Sequence, residues 1–339
     1  MRQINDKIRK WCRSLDAKYL RPGYEPKYPN QINIETSGIC NLRCACCPHG
    51  VARDSMRSLG IMSLDTFHHV LDHLDIPMKH AFLHMHGEPF LNPNLPNFVE
   101  ELTQKQILVN LYSNCKAVDE VCLDAILSYK HVSMNFSADL LGKDYYESIR
   151  GGACYEETLE KLKVMNDIFE RRNMFFNIVI IMDSRFVNKA EEVIEYCESL
   201  YNRFPRLNGI LLGSKFPWPR LPFTGDLAGN IEKTTHRCTH AFDGLNILWN
   251  GDATMCSFDY TGECVVGSLI DNTYSEVFNN SAARRFRMLH WRHQNVELPL
   301  CKDCLMDRYV PASVKWHRAM FLKQDYHEKK QTIESFFRF

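Results

Sequence analysis

The stretch from Gln31 to Gly50, QINIETSGICNLRCACCPHG, decides how the rest of the chain is read. Its first six residues alternate apolar and polar, the pattern of a β-strand. Directly after them, four cysteines fall within eight positions, followed by Pro48 and His49. Thiols this close can bind zinc, form disulfides or hold an iron–sulfur cluster. Cys40, Cys44 and Cys47 fit C-x3-C-x2-C, and Cys46 is left over. Zinc needs a fourth ligand, and neither His49 nor Cys46 gives the familiar paired spacing. Three thiolates on a [4Fe–4S] cluster leave one iron open. An open iron accepts the amino and carboxylate groups of a small molecule.

Around this stretch the chain alternates between strand and helix patterns. Strand-like runs are expected at 31–36, 80–86, 107–113, 131–137, 175–182 and 207–213. Helical periodicity falls at 63–74, 94–104, 118–128, 155–170 and 188–200, with Ser63 as a cap. This rhythm predicts a parallel α/β sheet, open or closed into a barrel, with functional loops after the strands. It breaks at 214–230, where Pro, Trp and Gly mark a connector. Asn250-Gly251 between two short strand-like runs predicts a hairpin. A helical stretch follows near 273–289, then the pair Cys301 and Cys304, then a helical tail over 311–339.

Composition narrows the function classes. Lys plus Arg and Asp plus Glu each number 41 in 339 residues, so there is no nucleic-acid footprint. Arg2, Lys7, Arg9, Lys10 and Arg13 form a basic amphipathic start, read as a solvated helix face. No apolar run is long enough to span a bilayer, and the first thirty residues lack a signal-peptide core. The expected location is a reducing cytoplasm. There, fourteen cysteines point to metal or catalysis more than to disulfides.

The cysteine triad resembles the signature of the radical S-adenosylmethionine (radical SAM) family. The resemblance extends through three more segments. HGEPFLNP contains Gly87, Glu88 and Pro89; LYSNC contains Ser113, Asn114 and Cys115. FSADLLGKDYYESIRGG contains Ser137, Asp139 and Arg150. Together these motifs cover about residues 31–200. The resemblance implies a partial (β/α)6 TIM barrel. It also implies that Cys40, Cys44 and Cys47 ligate a [4Fe–4S] cluster whose open iron binds SAM. Cys46 would lie against the adenine. Gly87, Glu88 and Pro89 would meet the SAM amino group, Ser113 and Asn114 the neighbouring site, Ser137 the ribose or carboxylate, and Arg150 the carboxylate. Reductive cleavage of SAM would then supply a hydrogen-abstracting radical. An external reductant such as flavodoxin or ferredoxin would feed the electron.

Cys238, Cys256, Cys301 and Cys304 form a second set, for which spacing alone leaves zinc and iron–sulfur open. Beside a radical SAM core it resembles the SPASM/twitch extension, which implies one auxiliary [4Fe–4S] cluster on these four cysteines. The expected domains are an N-terminal extension (1–29), the barrel (30–213), the SPASM/twitch module (214–310) and the tail (311–339). Cys264 is extra. Cys264 and Cys115 are the candidate hydrogen donors, should the reaction need one.

Within the family, the two-cluster pattern resembles the aminocyclitol dehydrogenases of the butirosin type. The expected substrate is a sugar- or aminocyclitol-like small metabolite, oxidised or epimerised. The alternative is maturation of a ribosomally made peptide. Only about thirty residues precede the first strand, too few for a peptide-recognition domain. A zinc or redox sensor, the third class, has no use for Glu88 or Arg150. His84 and His86 flank Met85 and would face the barrel interior if strand alternation holds. His68 and His69 are read as surface residues. Trp218, Arg220 and Phe223 are either linker packing or a wall over the substrate.

Overall fold

Six strands form where the alternation placed them, and they pair in chain order. The computed structural model describes residues 31–186, 189–214, 218–221, 238–302 and 319–322, together with Pro29 and Cys304. The parallel strands are β1 (Gln31–Ile34), β2 (His80–Phe82), β3 (Leu108–Ser113), β4 (Val132–Ser137), β5 (Phe176–Met182) and β6 (Leu207–Ser214). Each pairs with the next, for example Val109 with Val132 and Met134 with Phe176. Helices run between them: α1 (Pro48–Val51), α2 (Leu64–Asp72), α3 (Leu95–Gln104), α4 (Glu120–Ile126), α5 (Lys143–Ile149), α6 (Tyr155–Arg171) and α7 (Ala190–Arg203). This is a partial (β/α)6 barrel.

Local chemistry explains the boundaries. The Ser63 hydroxyl accepts from Thr66 N at 3.0 Å and starts α2, as its sequence position suggested. Asp119 caps α4 in the same way through Cys122 N. Core-facing aromatics seat the helices on the sheet; Phe136 meets Phe169 and Phe176 edge to face.

β2 is shorter than the expected 80–86. It ends at Phe82, and the chain turns there because Gly87 packs backbone to backbone on the loop after β1. A Cβ at Gly87 would stand 2.1 Å from the Ser37 carbonyl oxygen, so only glycine fits. Strand alternation therefore does not set where His84 and His86 point. His86 is nonetheless buried, and His68 and His69 are exposed.

The cysteine-rich C-terminal region continues the same sheet. β7 (Asn246–Ile247) pairs in parallel with β1, then β8 (Asp252–Thr254) and β9 (Val265–Ser268) add antiparallel. The predicted Asn250-Gly251 turn joins β7 to β8, with Gly251 at φ 87°. The expected single helix over 273–289 is two: α8 (Tyr274–Phe278) and α9 (Ser281–Trp291). Asn280 breaks the run by capping α9, its side chain accepting from Ala283 N.

β10 (Ala319–Leu322) pairs antiparallel with β6. This corrects the helical expectation for that part of the tail; a strand there covers the otherwise open edge of β6. The basic N-terminal stretch, Phe223 and the rest of the tail lie outside the described residues. Among the described residues, no helix is long and apolar enough to cross a membrane.

Candidate functional site

Four loops converge at the C-terminal ends of β1 to β4. The loop after β1 carries Cys40, Cys44 and Cys47 and is fastened to the end of α5. Arg43 N donates to Gly151 O at 2.8 Å, and Ala45 N to Ile149 O at 2.9 Å. Cys47 opens α1, with Pro48 at its first helical position. The loop after β2 is fastened in turn by Glu88 N, which donates to Ile39 O at 2.8 Å.

Donors surround the sulfurs. Leu42 N stands 3.5 Å and Asn114 Nδ2 3.6 Å from Cys40 Sγ. Arg150 Nη1 stands 3.9 Å from Cys44 Sγ. Burial pushes the Cys40 thiol up to about 11, and raises Cys44 and Cys47 as well. Such thiols hold their protons until a metal displaces them.

The remaining motif residues partly meet. Ser113 Oγ donates to Glu88 Oε1 and Asn114 N donates to Glu88 Oε2, both at 2.8 Å. Phe90 N donates to Glu88 Oε1 at 3.2 Å. The carboxylate expected to meet a ligand ammonium is thus engaged within the fold, tying the β2 loop to the end of β3. Burial outweighs these hydrogen bonds and pushes its pKa up to about 7. Arg150 Nε donates to Asp139 Oδ2 at 2.7 Å, which gives Asp139 the role the sequence left open. Pro89 follows Glu88 as the first residue of a short helical turn, and Ser137 ends β4. Cys46 is half-buried, and its carbonyl accepts from Trp218 Nε1 at 2.9 Å.

Cys115 stands at φ 70°, where glycine is easiest. Its side chain is fully buried in the hydrophobic core.

Sequence reasoning missed a buried polar group beside this loop. Glu35, just past β1, accepts from Arg57 Nη2, with both oxygens at 2.5 Å. His86 Nδ1 lies 3.5 Å from Glu35 Oε1. Burial raises the Glu35 carboxyl, but His86 and the Arg57 guanidinium overcome this and hold it below the usual range. Both ring nitrogens of His86 and of His49, and Nε and Nη1 of Arg57, are buried without a hydrogen-bond partner. Glu35 had a visible signal, a carboxylate immediately after the first strand. Arg57 had none.

The second cysteine set also converges. Cys238, Cys256, Cys301 and Cys304 line one cavity together with His240, His290 and Phe258. Asp259 organises its wall. Its oxygens accept from Thr254 Oγ1 at 2.7 Å and from the backbone N–H groups of Gly262, Glu263 and Cys264 at 2.9 Å. Trp218 reaches both regions: its ring meets His86 at 5.6 Å and Phe258 at 5.1 Å between centroids. Arg220 pairs instead with Glu263 at 2.7 Å.

Among the described residues, the one group of three or more possible ligand atoms all within 4.8 Å is Glu147, Cys154 and Glu156, which includes no member of either cysteine set.

Comparison with known proteins agrees. A profile of the radical SAM superfamily matches residues 34–197, and one of the SPASM iron–sulfur cluster-binding domain matches residues 238–305. The chain is similar to BtrN in complex with AdoMet and 2-DOIA (TM-score 0.53, 16% identity, 83% of this chain and 94% of that one). It is similar to anSMEcpe with bound AdoMet (0.60, 17%, 91% and 96%). It is also similar to Streptococcus suis SuiB bound to precursor peptide SuiA (0.60, 12%, 77% and 67%). At these identities the likenesses establish the fold. In sequence, 141 residues are 24% identical to the antilisterial bacteriocin subtilosin biosynthesis protein AlbA of Bacillus subtilis (strain 168), spanning 41% of this chain and 31% of that protein. With its triad loop on a partial barrel and a second cysteine cavity downstream, the chain carries a radical SAM domain over residues 34–197 and a SPASM-type iron–sulfur domain over residues 238–305.

Proposed function

We propose that the chain is a radical SAM oxidoreductase that oxidises a carbinol carbon of a sugar- or aminocyclitol-like small metabolite. In this reading Cys40, Cys44 and Cys47 hold the SAM cluster, and Cys238, Cys256, Cys301 and Cys304 hold one auxiliary cluster. When bound, the first cluster with SAM supplies a hydrogen-abstracting radical, and the second takes the electron that the oxidised carbon gives up.

The observation that carries the substrate class is the buried polar group around Glu35. Unpartnered buried nitrogens cost about 1–3 kcal/mol each. A molecule with several hydroxyl groups satisfies both kinds at once, donating to imidazole nitrogens and accepting from Arg57. Glu35, kept ionised, favours the His86 proton on Nδ1 and leaves Nε2 as an acceptor. Nε2 then takes the hydroxyl proton as the ketone forms. Loss of one hydrogen atom, one proton and one electron balances the oxidation. Arg150 keeps a positive charge beside Cys44 and faces the site where a carboxylate would bind. Trp218 bridges the two cysteine regions through Cys46, His86 and Phe258.

The test is an anaerobic reaction with SAM, dithionite and a panel of carbinol-deuterated aminocyclitols and sugars. Deuterium in 5′-deoxyadenosine, with one ketone formed per turnover, is the expected result. A second reading, modification of a ribosomally made peptide, is favoured by the sequence match to AlbA and the structural likeness to SuiB. Deuterium transfer from a labelled precursor peptide, with none from any polyol, would replace the first reading by the second. Solvent deuterium at the abstracted carbon, without ketone, would mean epimerisation.

A further inference from the structure

Besides its four proposed ligands the auxiliary cavity is lined by two imidazoles, His240 and His290, and the Cys264 side chain meets Cys301. His290 lies in the last turn of α9, and its Nε2 stands 3.5 Å from Cys301 Sγ. The imidazole is 4% exposed, and its ring packs on Phe286 at 4.8 Å. Cys264 is 3% exposed, and its thiol also contacts the Cys301 sulfur. Its backbone is held on both sides. Cys264 N donates to Asp259 Oδ2 at 2.9 Å, and Met255 N donates to Cys264 O at 3.1 Å.

We infer that His290, seconded by Cys264, donates a hydrogen bond to the Cys301 sulfur and thereby raises the reduction potential of the auxiliary cluster. This rests on the reading that Cys301 is a ligand of that cluster. A ligating cysteine has lost its proton, so its sulfur is an acceptor only. Whatever stands at hydrogen-bond distance must then bring the hydrogen. For His290 this places the hydrogen on Nε2; for Cys264 the thiol supplies it. Hydrogen bonds to cluster sulfurs withdraw charge and favour the reduced state. With Phe258, Phe286 and Leu300 in the cavity wall, this effect is weakly screened. A raised potential suits a cluster that must accept an electron from a substrate radical. His290 is a positioning and tuning residue here, since it touches a ligand and not the substrate.

The experiment uses the full-length reconstituted holoenzyme and needs no substrate. An EPR-monitored redox titration separates the two clusters, because SAM alters the signal of the first and leaves that of the second. His290→Phe should shift the one-electron equilibrium of the second cluster about tenfold toward the oxidised form, or ~59 mV. His290→Gln, which restores an N–H donor, should recover most of that shift. Cys264→Ala should move it in the same direction by less, and Cys264→Ser should not. In the unaltered enzyme, an exchangeable proton should couple to the second cluster in electron–nuclear double resonance. Its absence there would overturn the inference even if the variants fail to fold. An unchanged potential in an intact His290→Phe cluster would overturn it too. A holoenzyme with no second EPR signal would overturn both the ligand reading and the inference built on it. A second signal whose potential ignores His290 would remove only the inference.

Discussion

Cys40, Cys44 and Cys47 lie within eight residues of one loop, whereas Cys238, Cys256, Cys301 and Cys304 arrive from three separate segments. Each region is organised by a buried carboxylate. In the barrel it is Glu88, which accepts from Ser113, Asn114 N and Phe90 N and joins two strand ends. In the auxiliary module it is Asp259, which accepts from Thr254 and three successive backbone N–H groups in a single loop. The local cysteine set is thus supported by long-range bonds, and the dispersed set leans on a local one. A short loop holds its sulfurs near each other whatever the rest of the chain does, so the remaining problem is to aim it at the barrel. Dispersed cysteines need a rigid turn to fix Cys256 before distant segments can close on it.

The comparison predicts which variants damage one region and spare the other. The largest effect belongs to Arg150→Ala. It leaves the buried Asp139 carboxylate unpaired and removes the cation beside Cys44, at a cost of about 3–5 kcal/mol. SAM cleavage should be lost while the second cluster still assembles. Loss of both clusters in iron analysis of the folded variant would break the comparison.

Next comes Asp259→Asn. An amide cannot accept from all its present donors, and hydrogen bonds to a charged group are worth about 1.5–3 kcal/mol each. The second cluster should fail to assemble, and the variant should still cleave SAM. A full complement of auxiliary iron would show that Cys256 is fixed by something else.

Glu88→Gln should act through pH. The folded pKa of Glu88 is about 7 against an ordinary 4.5, so the folded state holds this proton more tightly than the unfolded one. The stabilisation is full below about 4.5 and is lost as pH rises toward 7, roughly 3 kcal/mol at most. Urea midpoints measured between pH 5 and 8 should fall with pH more steeply in the wild type than in Glu88→Gln. Parallel curves would mean that Glu88 is ionised throughout.

The smallest effect is expected from Cys46→Ala. The Trp218 hydrogen bond goes to the Cys46 carbonyl, which alanine retains. The first cluster should form with an unchanged EPR signal, and stability should move by less than about 1 kcal/mol. Loss of that signal would make Cys46 a ligand and exclude the C-x3-C-x2-C assignment.

The sequence by itself determined the six-strand parallel order, the cap at Ser63, the hairpin turn at Asn250-Gly251 and the two cysteine sets. Each depends on residues close in the chain: alternation, a capping hydroxyl, a left-handed turn, a spacing of thiols. Tertiary structure decided what those patterns could not. It brought Arg57 and His86 onto Glu35, turned Glu88 toward Ser113 and Asn114, and paired Arg150 with Asp139. It also ended β2 at Phe82, made Ala319–Leu322 a strand on the edge of β6, and set His290 against Cys301. The physical reason is the same in each case. A buried polar side chain takes whatever partner the packed fold leaves within reach, and an edge strand forms wherever unpaired backbone waits. Neither partner need be near in sequence, so no local pattern records it.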